Sequence, residues 1–204
     1  MLKLLSLTFA LFSLSVQASE ADLKIPALTN TFDIFGWVVS GHNLLLTGMV
    51  VIVAGMLFGL VEFRKIKALK VHKSLTEISE LIYVTCKTYL FQQAKLLFIM
   101  EVLIGCCIVY YFGFLKHLEA SRVALILMWS VIGILGSIGV AWFGIRINTY
   151  ANSRTAFASL EGKPYPVMDI PLRSGMSIGV LLICVELIMM LIILLFIPRA
   201  YAGA

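Results

Sequence analysis

Four long apolar runs decide what this chain can fold into: Leu44 to Phe63, Leu96 to Leu115, Val123 to Ile145, and Met176 to Ile197. At about 1.5 Å of rise per residue, each can cross a hydrocarbon core of roughly 30 Å. None alternates with a period of two, and a helix satisfies its own backbone groups where no water reaches, so the runs read as membrane helices. With 61% hydrophobic and 13% charged residues in 204 positions, no single water-soluble core could hide so much apolar surface. The expected fold is all-α: a polytopic membrane protein with four transmembrane helices in one bundle.

A shorter apolar stretch precedes them. Lys3, the run from Leu4 to Val16 and the small residues of Val16-Gln17-Ala18 have the form of a signal peptide over residues 1–18, an uncleaved anchor being the alternative. The expected order is then an extracytoplasmic segment at 19–43, helices at 44–63, 96–115, 123–145 and 176–197, a basic amphipathic cytoplasmic segment at 64–95, an outer loop at 116–122, a cytoplasmic loop at 146–175, and an outer tail at 198–204. The flanking charges set the orientation. Arg64, Lys65, Lys67, Lys70, Lys73, Lys87 and Lys95 lie between the first two runs, and Arg146, Arg154, Lys163 and Arg173 between the last two. Only Lys24, Lys116, Arg122 and Arg199 lie on the other side, so the basic side is expected to be cytoplasmic, in a cell (inner) membrane. The net charge of +5 is topological on this reading and calls for no nucleic-acid partner. Phe35 and Trp37 are expected at the outer interface. Leu75, Ile78, Ile82, Tyr89 and Leu90 recur at near-helical spacing, as in an amphipathic helix leading into the second span.

Few residues offer chemistry. Glu101 and Glu186 lie inside apolar runs, where a carboxylate is costly and must face a partner helix or water; an ion path and a packing role are both open. Cys86, Cys106, Cys107 and Cys184 lack C-x-x-C spacing and read as buried apolar residues. His42, His72 and His117 fall on opposite sides of the membrane and cannot share one metal. Glu77 and Glu80, set among lysines, read as a solvated face. If the third helix ends near Tyr150, Asn152 caps it and Arg154 reaches its last carbonyls or lipid phosphates, with substrate contact as the alternative. Ser174 is expected to cap the fourth helix after Pro171, and Arg173 to anchor at the headgroups. Gly55 with Gly59, Gly175 with Gly179, and the strip Gly133, Gly136, Ser137, Gly139 and Ala141 predict close helix packing.

The run Thr149-Tyr150-Ala151-Asn152-Ser153-Arg154-Thr155, followed by Leu172-Arg173-Ser174-Gly175 and then Gly179, resembles the ion-translocating membrane pyrophosphatases. Their third helix ends in T-x-A-N-x-R-T and their fourth opens with F-R-S-G and a further glycine. Ile78, Ser79, Ile82, Tyr89, Leu90 and Lys95 also fall in register with the segment before that family's second helix. Tyr83, Val84, Gln92 and Gln93 depart from its charged positions, and Leu172 stands for its phenylalanine.

The resemblance implies the outer-ring quarter of a larger bundle, either a truncated copy or the first piece of a split enzyme. The complete enzyme would couple diphosphate hydrolysis to outward H+ or Na+ transport, with Mg2+ required, K+ stimulating some members, and a homodimer as the assembly. Thr149, Ala151, Asn152, Arg154, Thr155, Arg173, Ser174, Gly175 and Gly179 are the residues matching its pattern. The family's acidic diphosphate-binding run lies beyond its fourth helix, so no catalytic, cofactor or metal residue is assigned here, and the partners are the lipid bilayer and the remaining helices of the pump. Two other readings stay open: a free-standing four-helix scaffold or accessory subunit, and a small transporter using Glu101 and Glu186.

Overall fold

The computed structural model describes residues 31–34 and 37–196. Two antiparallel strands, β1 (Thr31–Ile34) and β2 (Trp37–Ser40), precede four helices: α1 (Gly41–Ala68), α2 (Lys73–Ile108, continued by the π-helical segment Val109–Leu115), α3 (Ala120–Ser159) and α4 (Pro164–Phe196). All four are long and apolar enough to span a membrane, which makes the chain a multi-pass α-helical membrane protein. The expected signal peptide, the tail at 198–204 and Phe35 lie outside the described residues.

By its contacts the chain divides into two units. One holds the hairpin, α1 as far as Leu46, and α4 from Ile192. Its strands pair Thr31 with Ser40, Phe32 with Val39, Asp33 with Val38 and Ile34 with Trp37. Among the described residues this hairpin is the exception to an all-helical architecture, and the β-branched and aromatic residues at 37–39 favour the extended backbone. Ser40 Oγ then accepts the Asn43 N–H at 3.4 Å and caps α1.

The other unit is residues 47–191. Its helices outrun the apolar stretches that announce them. At 40 residues, α3 measures roughly 60 Å, twice the hydrocarbon thickness. The connections expected at 64–95 and 146–175 are therefore mostly helix, with non-helical links only at 69–72 and 160–163. The reason is that helical periodicity persists after the residues cease to be apolar all round. A charged segment with one buried stripe continues the same helix. As the spacing of Leu75 to Leu90 predicts, α2 starts at Lys73, with His72 Nδ1 accepting the Ser74 N–H at 3.3 Å. Gly162, at φ +69, turns the chain between α3 and α4 in a conformation that a side chain would strain. Pro164 opens α4 where its missing N–H is harmless, whereas Pro171 lies inside the helix and removes a bond to the Val167 carbonyl.

Small residues set the spacing of α1 and α4. A Cβ on Gly55 would lie 2.6 Å from Cys184 Sγ, and one on Gly59 would lie 3.4 Å from the Ser177 carbonyl. Buried Ser177 Oγ donates to the Gly59 carbonyl at 2.9 Å, closing the contact with a polar tie. Gly136 of α3 packs in the same way on Val185 and Met189. Gly133, Gly139, Gly175 and Gly179 face open space, so only one of the two G-x-x-x-G pairs is used between the described helices. Cys184 is the one fully buried cysteine; Cys106 and Cys107 lie on the outer surface and Cys86 between, which corrects the expectation that all are buried. An outward cysteine costs little when the solvent is lipid.

Candidate functional site

Polar side chains gather at the basic end of the 47–191 unit, around a small core of Ile66, Ile147, Tyr150, Ala151, Ala158 and Ile170. Ser79 Oγ of α2 donates to the Thr149 carbonyl of α3 at 2.6 Å, while Thr149 Oγ1 donates to the Arg146 carbonyl at 2.9 Å. Arg146 Nη1 meets Glu80 at 2.9 Å, and its guanidinium lies over the rings of Tyr83 at 4.1 Å and Tyr150 at 4.3 Å. Trp142 Nε1 donates to the Tyr83 hydroxyl at 2.8 Å, fixing that ring against α3. The carboxylate and the two aromatic faces compensate one cation from several sides.

Arg154 is the buried pivot of this end, only 6% exposed. Its Nη2 donates to the Lys67 carbonyl at 3.1 Å, in the last turn of α1, and its Nη1 to Ser153 Oγ at 3.0 Å and the Tyr150 carbonyl at 3.4 Å. A cation on C-terminal carbonyls satisfies groups that the helix leaves open and opposes its dipole. The helix-end carbonyl belongs to α1, and the Tyr150 carbonyl lies inside α3, nine residues before its end, so neither is a last carbonyl of α3. Asn152 is corrected too: α3 continues to Ser159, so Asn152 sits mid-helix on the exposed face and caps nothing. Two positions apart, the Asn152 and Arg154 side chains point to nearly opposite sides of one helix.

Ser174 also departs from expectation. Ser174 is ten residues inside α4 and donates from Oγ to Asn148 Oδ1 at 2.8 Å, joining α4 to α3 rather than capping. Arg173 pairs with Asp169 at 2.8 Å and lies 3.7 Å from buried Glu62 of α1, which Lys65 contacts at 2.7 Å. Its partners among the described residues are carboxylates of the fold. Ala151 is buried in the small core, Thr155 is half-buried with no bond to its Oγ1 among the described residues, and Gly175 and Gly179 stand open. Glu80 is held by Arg146, whereas Glu77 reaches only Lys73 at 4.0 Å, as a solvated residue would.

The two intramembrane acids part company. Glu101 is buried, and its Oε1 has no partner among the described residues. Glu186 is exposed on the outside of the unit, in the most apolar of the four helices. Sequence reasoning missed Glu62, Arg146, Tyr150, Asn148 and Ser177 as working residues. Glu62 alone had a signal, an acid one place before the end of the first apolar run and three before Lys65. Among the described residues no three His, Cys, Asp or Glu side chains converge as they would to hold a metal ion.

The fold and its tied basic end define a structural class, a multi-pass helical membrane unit whose polar residues join helices. The comparisons supply the lineage. The family described as inorganic H+ pyrophosphatase matches residues 53–203, and the chain belongs to it. Over 156 residues, 76% of this chain, it is 59% identical to a K(+)-insensitive pyrophosphate-energized proton pump of Chlorobaculum tepidum. The chain spans 21% of that relative's length. No solved structure matches.

Proposed function

We propose that this chain supplies a packing and anchoring part of a pump that couples diphosphate hydrolysis to outward proton transport across the cell (inner) membrane, with its basic end cytoplasmic. The observation that carries the reading is the outward face of α4. Leu172, Met176, Leu182, Ile183, Leu187 and Met190 are exposed there, Gly175 and Gly179 are open, and Glu186 stands among them. Lipid tolerates the apolar residues but not the carboxylate, which costs a few kcal/mol or more at the bilayer centre unless a donor meets it. Open glycines four apart are where another backbone can approach closely. A second copy docking there about a two-fold axis would set two Glu186 carboxylates together, so a different helix bearing a donor fits better.

On this reading the magnesium-bound diphosphate is handled by other parts of the pump, and the described helices hold those parts in the membrane. Kinship with the Chlorobaculum tepidum protein favours protons over sodium and independence from potassium. The test is a chimera in which this chain replaces its counterpart in that pump, assayed in vesicles for diphosphate hydrolysis and proton uptake. Both activities are expected in the chimera, with and without potassium, and neither for this chain alone. Glu186→Leu should lower assembly of the chimera. Hydrolysis by the chain alone, or an assembled chimera that neither hydrolyses nor pumps, would refute the proposal.

A further inference from the structure

Arg154 has a peculiarity that its helix-joining role does not exhaust. Arg146 and Arg173 each have a carboxylate within 2.9 Å and 2.8 Å respectively. Arg154, the most buried of the three, lies over the Tyr150 ring at 4.7 Å but has only neutral acceptors, forms no ion pair among the described residues, and leaves its buried Nε without an acceptor. A guanidinium taken out of water without a counter-charge is undercompensated. It borders a cavity of about 370 Å³ whose other walls include Leu69, Lys70, Phe157, Glu161 and Ile170.

We propose that this cavity binds a phosphate group, that of an anionic phospholipid, between Arg154 and Lys70. Arg154 would supply guanidinium charge from its buried position in the cavity wall, and exposed Lys70, in the link between α1 and α2, would close on the same anion from outside. Glu161 also lines the cavity but pairs with neither cation among the described residues, and it disfavours a highly charged ligand over a headgroup of single charge. The source follows from the walls. Leu69, Phe157, Ala158 and Ile170 match the glycerol and upper acyl chain of a lipid, and free phosphate would leave them bare. Leu160 and Tyr165, next in sequence to lining residues, and Met168, two positions from Pro166 and from Ile170, are 77%, 72% and 74% exposed, an apolar rim suited to the membrane interface.

The inference needs the bilayer but not the pump, so its fate is separate from that of the proposed function. The full chain in neutral detergent would be titrated with dioleoylphosphatidylglycerol, dioleoylphosphatidylcholine and inorganic phosphate, with binding read by native mass spectrometry and by thermal unfolding. Phosphatidylglycerol is expected to stay bound and raise the unfolding temperature, with little effect from phosphatidylcholine. Lys70→Gln should weaken phosphatidylglycerol about fivefold, the worth of one basic residue near an anionic surface, without moving the lipid-free unfolding temperature. Arg154→Lys should keep more of the binding than Arg154→Gln; should either fail to fold, Lys70→Gln decides. Equal responses to the two lipids, or an unchanged affinity in Lys70→Gln, would overturn the site. A response to inorganic phosphate equal to that of phosphatidylglycerol would overturn the lipid and leave a free-anion site.

Discussion

Gly55→Ala tests the packing of α1 on α4 with a single methyl group. The added Cβ would sit 2.6 Å from Cys184 Sγ and 3.4 Å from Val180 Cγ1, the first well inside ordinary van der Waals contact. Cys184 has one side-chain torsion, on a helix that restricts it, and it is buried, so the sulfur has little room to retreat. The helices must shift instead. Overpacking of this kind costs about 1–3 kcal/mol, and a shift would also stretch the 2.9 Å bond from Ser177 Oγ to the Gly59 carbonyl, one turn away. Reversible unfolding in mixed micelles gives the loss directly. Cys184→Ala alone should cost about 1 kcal/mol for the emptied volume. Combined with Gly55→Ala it should cost less than the two single changes together, because the new methyl occupies the space the sulfur leaves. Gly179→Ala, with nothing within 4 Å, is the control and should be neutral in this chain. A harmless Gly55→Ala, or a double variant whose losses simply add, would refute the proposed contact.

Two further outcomes separate the structure from the sequence pattern. Asn152→Ala should change stability by less than about 0.5 kcal/mol, since the side chain is exposed in mid-helix; a loss near 1 kcal/mol in the same unfolding assay would restore a capping role. Arg146→Lys keeps a charge for Glu80 but loses the flat stacking on Tyr83 and Tyr150, and should cost about 1–2 kcal/mol, most of it persisting in high salt where an exposed ion pair alone would be screened.

The spans were legible because lipid imposes one requirement on every residue of a run, and a requirement repeated over twenty positions survives local variation. Helix ends were not legible by the same signal. The apolar run stops at Ile145, yet α3 continues to Ser159 because Ile147, Tyr150, Ala151 and Ala158 form a stripe against Ile66 and Ile170, and one stripe is a weaker signal than a run. The family pattern at Thr149 to Gly179 marked the right region, but not what each residue does. Ser174 and Asn152 have the chemistry of caps, and only the extent of α3 and α4 shows that neither stands at an end. Tyr83 looked like a departure from a charged pattern; it is a ring for Arg146, which depends on a partner 63 positions along the chain and is invisible in any local window.

The bond from Arg154 to the Lys67 carbonyl links residues 87 apart in sequence. A ribosome completes the first helix long before Arg154 is made, so the Lys67 end of that helix must wait for its donor. The same delay holds for Ser177 reaching Gly59 across 118 positions. Early insertion intermediates therefore carry these spans without the fastenings that fix their mutual arrangement, until the hairpin of α3 and α4 arrives.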